Sequence, residues 1–126
     1  MKRRDQRIRV MTCLYQYMLT EQSIDNIFDE NLDIDDKKSI SFIVENTIET
    51  INHLEELTEL IKKNLVSTWD FDRLGFLERA ILLMSAYEIK YTSTDKPIII
   101  NEAIEIAKQY CDEDAPKLIN GVLDQL

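Results

Sequence analysis

Five of the first nine side chains are cationic: Lys2, Arg3, Arg4, Arg7 and Arg9, opposed by a single acid, Asp5. Guanidinium groups at this density make two-point contacts to phosphate oxygens and stack on unpaired rings. The other 117 residues hold ten basic and 23 acidic side chains, so a patch of about +4 sits on a body of −13. Such a body repels a polyanion at long range, and any polyanion contact must come from a small footprint. The bland alternative for the arm is a solvated, slightly frayed terminus.

The remaining chemistry-bearing residues form no constellation. His53 is the only histidine and has no ligand-spaced partner, so it reads as a loop or packing residue. Glu55, Glu56 and Glu59 read as a solvated helix face. Asp29, Asn31, Asp33 and Asp35 imitate a calcium loop. However, Ile34 and Ile40 stand where its glycine and final glutamate belong. Cys13 and Cys111 are isolated thiols without CxxC spacing, which predicts no metal site and a reducing, cytoplasmic setting. Gly75 and Gly121 are the only glycines and cannot build a phosphate-cradling loop. No nucleophile, base and oxyanion donor occur together, so the expectation is a non-catalytic protein without a cofactor.

Elements that could carry the arm are legible in the apolar spacing. Two glycines and two prolines in 126 residues cannot supply the turns of a β-sandwich, whereas helices joined by short loops need few. Ile8, Met11, Leu14, Tyr15, Met18 and Leu19 recur at helical period over residues 4–20. Residues 21–36 read as an acidic connector with one helical turn around Ile24, Ile27 and Phe28, ending in a cap at Asp35 or Asp36. Two further stripes follow, Ile40 to Ile51 and Leu54 to Leu65, with a change of direction at Asn52 and His53. The pattern breaks at Ser67–Asp72, where Trp69 and Phe71 add aromatic surface. Leu74, Leu77, Ile81, Met84 and Ile89 mark a long central helix. Pro97 introduces a short extended run, Ile98–Ile100, after which Asn101 is expected to cap a helix. Asp114 is expected to cap the last one, with Pro116 in its first turn. The expectation is an all-α bundle of six or seven helices in two packed subdomains, residues 1–68 and 69–126, without a membrane span.

Four stretches resemble the NusB family of bacterial transcription antitermination factors. Arg7-Ile-Arg-Val-Met-Thr-Cys-Leu-Tyr15 is similar to the family's opening helix. Leu77-Glu-Arg-Ala-Ile-Leu82, continuing to Ala86-Tyr-Glu-Ile89, is similar to its central helix. Ile100-Asn-Glu-Ala-Ile-Glu-Ile-Ala-Lys-Gln-Tyr110 is close to its INEAxELAKxY signature, and Lys117-Leu-Ile-Asn-Gly-Val-Leu-Asp124 to KFVNGVLD. The resemblance implies a non-enzymatic protein. It would bind the boxA element of ribosomal RNA transcripts together with NusE, a small-subunit ribosomal protein, within an RNA polymerase antitermination complex. By the same resemblance Tyr15, Glu78, Lys117 and Leu118 join Lys2, Arg3, Arg4, Arg7 and Arg9 on the RNA face. Tyr15 equally fits a core tyrosine with a wet hydroxyl.

The acidic C-terminal half is the expected docking face for basic NusE, represented by Glu102, Glu105 and Asp114. Ala103, Ala107 and Gly121 read as positions of close helix approach. Two residues depart from the family pattern: Leu118 replaces its phenylalanine and Leu83 an arginine. The competing expectation is a module of the same fold that acts through protein contacts without binding RNA, as in the accessory domain of certain ribosomal RNA methyltransferases. Both a monomer and a homodimer are compatible with the sequence.

Overall fold

A computed structural model describes residues 1–66 and 68–126; Ser67, within the predicted break, lies outside the described residues. Seven α-helices and one 3-10 turn are present, and no strand occurs among the described residues. They are α1 (Arg3–Leu19), α2 (Ile24–Asn31), α3 (Lys37–Asn52), α4 (Leu54–Asn64), α5 (Phe76–Tyr91), α6 (Lys96–Tyr110) and α7 (Ala115–Asp124), with the 3-10 turn at Phe71–Arg73. The expected all-α bundle is borne out.

Helix α5 is the hub. Every residue from Ala80 to Glu88 is buried, because α1, α3, α4, α6 and α7 all pack against it. An all-round apolar surface is what a central helix requires. Leu83 is 1% exposed, so the departure from the family's arginine places a leucine in this core. α1 runs antiparallel to α5, with Arg7 beside Glu88 and Tyr15 beside Phe76. α6 and α7 lie against the same hub and against each other.

Local chemistry explains several boundaries. Asp36 caps α3 by accepting from the Ser39 N–H at 3.2 Å, as expected of one of two candidate aspartates. The chain reverses at His53, whose N–H reaches the Glu49 carbonyl and whose ring lies 4.4 Å from Tyr91, a packing role.

Other expectations are corrected. The acidic connector holds a full helix, α2, capped by Ser23, and it buries Ile27 against α1. Ile98–Ile100 is helical, not extended, and Asn101 is not a cap. Proline has its fixed φ and lacks only an N–H that no first-turn residue uses, so Pro97 starts α6 instead of preceding it. Asp114 occupies the N-cap position of α7 but makes no side-chain capping bond. Gly121 permits no close approach, since a Cβ there would meet nothing within 4 Å. Ala103 and Ala107 are fully buried on α6.

Candidate nucleic-acid interface

The arginine arm is the N-cap and about the first two turns of α1, and it is tied down. Gln6 donates to the Ser39 hydroxyl at 2.8 Å, and that hydroxyl donates to Asp36 at 2.6 Å. The bond from Ser39, reinforced by the terminal amine of Met1, holds the Asp36 carboxyl well below its ordinary range. A frayed terminus is therefore not what forms.

The five cations of the arm are not equivalent. Arg7 is only 5% exposed, and its guanidinium donates twice to Glu88 at 2.8 Å. Arg7, expected on the RNA face, is thus held in a buried pair that turns its Nε and Nη2 toward the core. Arg4 remains on the surface but makes a two-point contact with Glu102, at 2.6 and 3.3 Å. The Arg4 bond holds the Glu102 carboxyl below its usual range. Arg9 donates to the Asn31 carbonyl at the end of α2. Arg3 lies 4.0 Å from the Phe42 ring centre and donates to Gln6, with its other edge outward. Lys2, Arg3 and Arg4 are the exposed cations of this end, and of the three only Arg4 is in an ion pair among the described residues.

Tyr15 lies eleven residues along α1 from Arg4, about 16 Å at helical rise. It is half-buried and meets Phe76 edge-on at 6.4 Å. Phe76 opens α5, and Glu78 follows in the same turn, where the helix dipole favours an acid. The Glu78 carboxylate curls back over Gly75, occupying the space a Cβ would take. It also faces Cys111. Burial first, then this carboxylate, pushes the Cys111 thiol up to about 12. Burial likewise raises the Cys13 thiol to about 11, and both cysteines are free. Leu118 joins Glu78 in lining one cleft. It joins Lys117 in lining a second, larger one of about 540 Å³.

The residues expected on one RNA face thus form two groups at opposite ends of the α1–α5 pair. Lys2, Arg3 and Arg4 lie exposed at one end, with Arg7 and Arg9 engaged behind them; Tyr15, Glu78, Lys117 and Leu118 occupy the other. The expected partner residues divide as well. Glu102 and Glu105 lie on α6, where Glu105 pairs with Lys108 at 3.5 Å. Asp114, in contrast, lines both clefts beside Leu118.

Two residues beside this surface escaped the sequence reading. The Arg79 guanidinium lies 4.8 Å from the Phe76 ring centre and donates to the Leu74 and Asp72 carbonyls. It fastens the 3-10 turn to α5, a contact no spacing signalled. Trp69, noticed only as aromatic surface at the break, lines both clefts. No group of three or more potential metal ligands occurs among the described residues. No helix among them is long and apolar enough to cross a membrane.

A helical bundle with exposed cations at one end and a mixed aromatic, acidic and basic surface at the other belongs to a class of small all-α interaction proteins. The sequence model of the NusB family matches residues 4–126, and the chain belongs to that family. A transcription antitermination protein NusB from Sulfurovum sp. is 43% identical, covering 98% of this chain and 96% of the relative. A crystal structure of the antitermination factors NusB and NusE in complex with double-stranded RNA includes a chain superposing with a TM-score of 0.86. The identity is 27%, over 98% of this chain and 93% of that one. T. maritima NusB superposes at 0.88 with 28% identity, over 99% and 89% respectively.

Proposed function

We propose that this chain is a transcription antitermination factor that binds boxA-type single-stranded RNA of ribosomal RNA transcripts together with NusE, within an RNA polymerase antitermination complex. The observation carrying this reading is the clustering of Glu78, Lys117 and Leu118 on adjoining clefts next to the Tyr15–Phe76 pair. Unpaired bases are recognised by such a mixture. Rings stack, a carboxylate accepts from base amino groups, and a lysine neutralises phosphate. A strand running along α1 meets this cluster at one end and Lys2 and Arg3 at the other. The family membership, and the relative held in complex with NusE and double-stranded RNA, support RNA and NusE as the partners.

NusE is read onto the acidic α6 face with Glu102 and Glu105, where opposite charge raises encounter rate and specificity. The chain is read as non-catalytic and cytoplasmic, with two subdomains meeting near residue 68. Titrating labelled boxA-like RNA across a salt series, with and without NusE, tests the proposal. RNA should bind alone at low salt and more tightly with NusE, since coupling between two ligands is reciprocal. No RNA binding in either arm would overturn it.

One observation favours the second reading, a protein-interaction module without RNA affinity of its own. Arg4 and Arg7 are both engaged by internal carboxylates, which weakens the arm as a polyanion site. Binding of NusE with no RNA shift at low salt would select this reading.

A further inference from the structure

We propose that the larger cleft, between the end of α4 and helix α7, is a pocket for one unpaired nucleobase, with Trp69 as its stacking surface. The proposal rests on the RNA-binding reading above and deepens it. The cleft, about 540 Å³, is lined by Asn64, Val66, Trp69, Asp114, Lys117 and Leu118 among others. That volume lies within the range of small-molecule sites.

Three observations select a base over other occupants. First, Trp69 is 42% exposed and Val66 62% exposed, although burial of either would be favourable. An aromatic face left open beside amide groups, here Asn64 and Gln125, offers stacking together with hydrogen bonds to a base edge. Second, Lys117 and Asp114 oppose each other in charge on the lining. A phosphate gains little from such a neutral surface, whereas a base needs no net charge. Third, Trp69 and Leu118 also line the Glu78 cleft, so the pocket continues the surface read as the RNA face. Gly121 contributes to the same lining, and the open space at its missing Cβ keeps that wall clear.

The pocket also accounts for the departure at Leu118. A leucine there removes an aromatic platform, and Trp69 supplies one across the same cleft.

Trp69 is the only tryptophan in the chain, which makes the test direct. Single-stranded boxA-like RNA carrying a 3′ dye is titrated with the full chain, following dye anisotropy and intrinsic tryptophan emission separately. The emission should be quenched and should saturate together with anisotropy. Trp69→Phe should bind within about threefold of the parent, and Trp69→Ala about tenfold more weakly, the scale of one stacked base. Circular dichroism confirms that each variant folds. Anisotropy showing binding while emission and the Trp69→Ala affinity stay unchanged would overturn the pocket and leave the RNA reading standing. An absent anisotropy response from the parent chain would overturn both. Weakened NusE binding with unchanged RNA binding in Trp69→Ala would assign the cleft to a protein side chain and also overturn the proposal.

Discussion

Arg7 and Glu88 form a buried two-point ion pair that joins the first helix to the hub, with both N–O distances at 2.8 Å. The two residues lie in separate stretches of family resemblance, and the pair sets the register of α1 on α5. Removing one partner strands the other charge in the core, which costs about 3–5 kcal/mol. Arg7→Ala should therefore lower the urea midpoint sharply. An apolar replacement of both partners, Arg7→Met with Glu88→Leu, should return to the parent's stability or exceed it. A single variant as stable as the parent would show that the pair does not hold the helices.

With Arg7 withdrawn and Arg4 engaged by Glu102, salt dependence should track the free cations Lys2 and Arg3. On a single strand, each phosphate that is no longer neutralised reduces the slope of log affinity against log salt by about 0.7. Lys2→Ala with Arg3→Ala should flatten the slope by about 1.4, twice that increment, measured by RNA titration between low and moderate salt. An unchanged slope would remove the α1 terminus from the RNA face.

Periodic apolar residues made the helices and the central position of α5 legible in the sequence, because burial follows spacing. The use of each arginine was not legible. Arg3 and Arg7 share one helix face and both approach the Phe42 ring, yet Arg7, one turn further into the bundle, meets Glu88, 81 residues away, while Arg3 stays exposed at the helix start. Proline chemistry was misread at Pro97 because a β-branched run after a proline fits a strand as well as a helix start. Trp69 was visible as surface but not as a wall of a cleft, since that depends on where α7 lies. Glu78 came from resemblance alone; its place over Gly75 and beside Cys111 needed the fold.

Acid should destabilise the protein through its surface carboxylates. Ser39 holds Asp36 low, Tyr91 and Lys90 hold Glu56 low, and Arg4 holds Glu102 low. A carboxyl whose folded value is depressed stabilises the fold above its unfolded value. That stability is lost as pH falls through the folded value. The melting temperature should therefore fall below about pH 4, the ordinary carboxylate range. Asp36→Asn retains a capping oxygen but cannot titrate, so its melting temperature should fall less steeply over the same range. Identical acid limbs would exclude Asp36 as a contributor.

The position of the Glu78 carboxylate can be read from the thiol it faces. Cys111 is raised to about 12 by burial first and then by Glu78, so alkylation at pH 8 should be slow. Glu78→Gln removes the charge and should accelerate it several-fold. Gly75→Ala should act in the same direction, because the new methyl displaces the carboxylate. The backbone φ of −62° at Gly75 suits alanine and the displaced group is the flexible end of a side chain. Its stability cost should stay within about 0.5 kcal/mol. Thiol modification followed by mass spectrometry gives both rates, and unchanged rates would mean the carboxylate does not control this thiol.

Leu118 offers the converse test of the RNA face. It is half-buried, lines both clefts, and replaces an aromatic residue of the family pattern. Leu118→Phe adds a ring at the junction between the Glu78 and Trp69 clefts. If a base passes there, the added stacking should strengthen RNA binding by about 1 kcal/mol, the lower end for base–aromatic contacts. The salt slope should not change, because no charge is altered. A thermal melt within a few degrees of the parent would show that the larger side chain is accommodated. Tighter binding with an unchanged slope separates stacking from phosphate attraction, whereas unchanged affinity in a well-folded variant would mean that the strand does not cross α7 at this position.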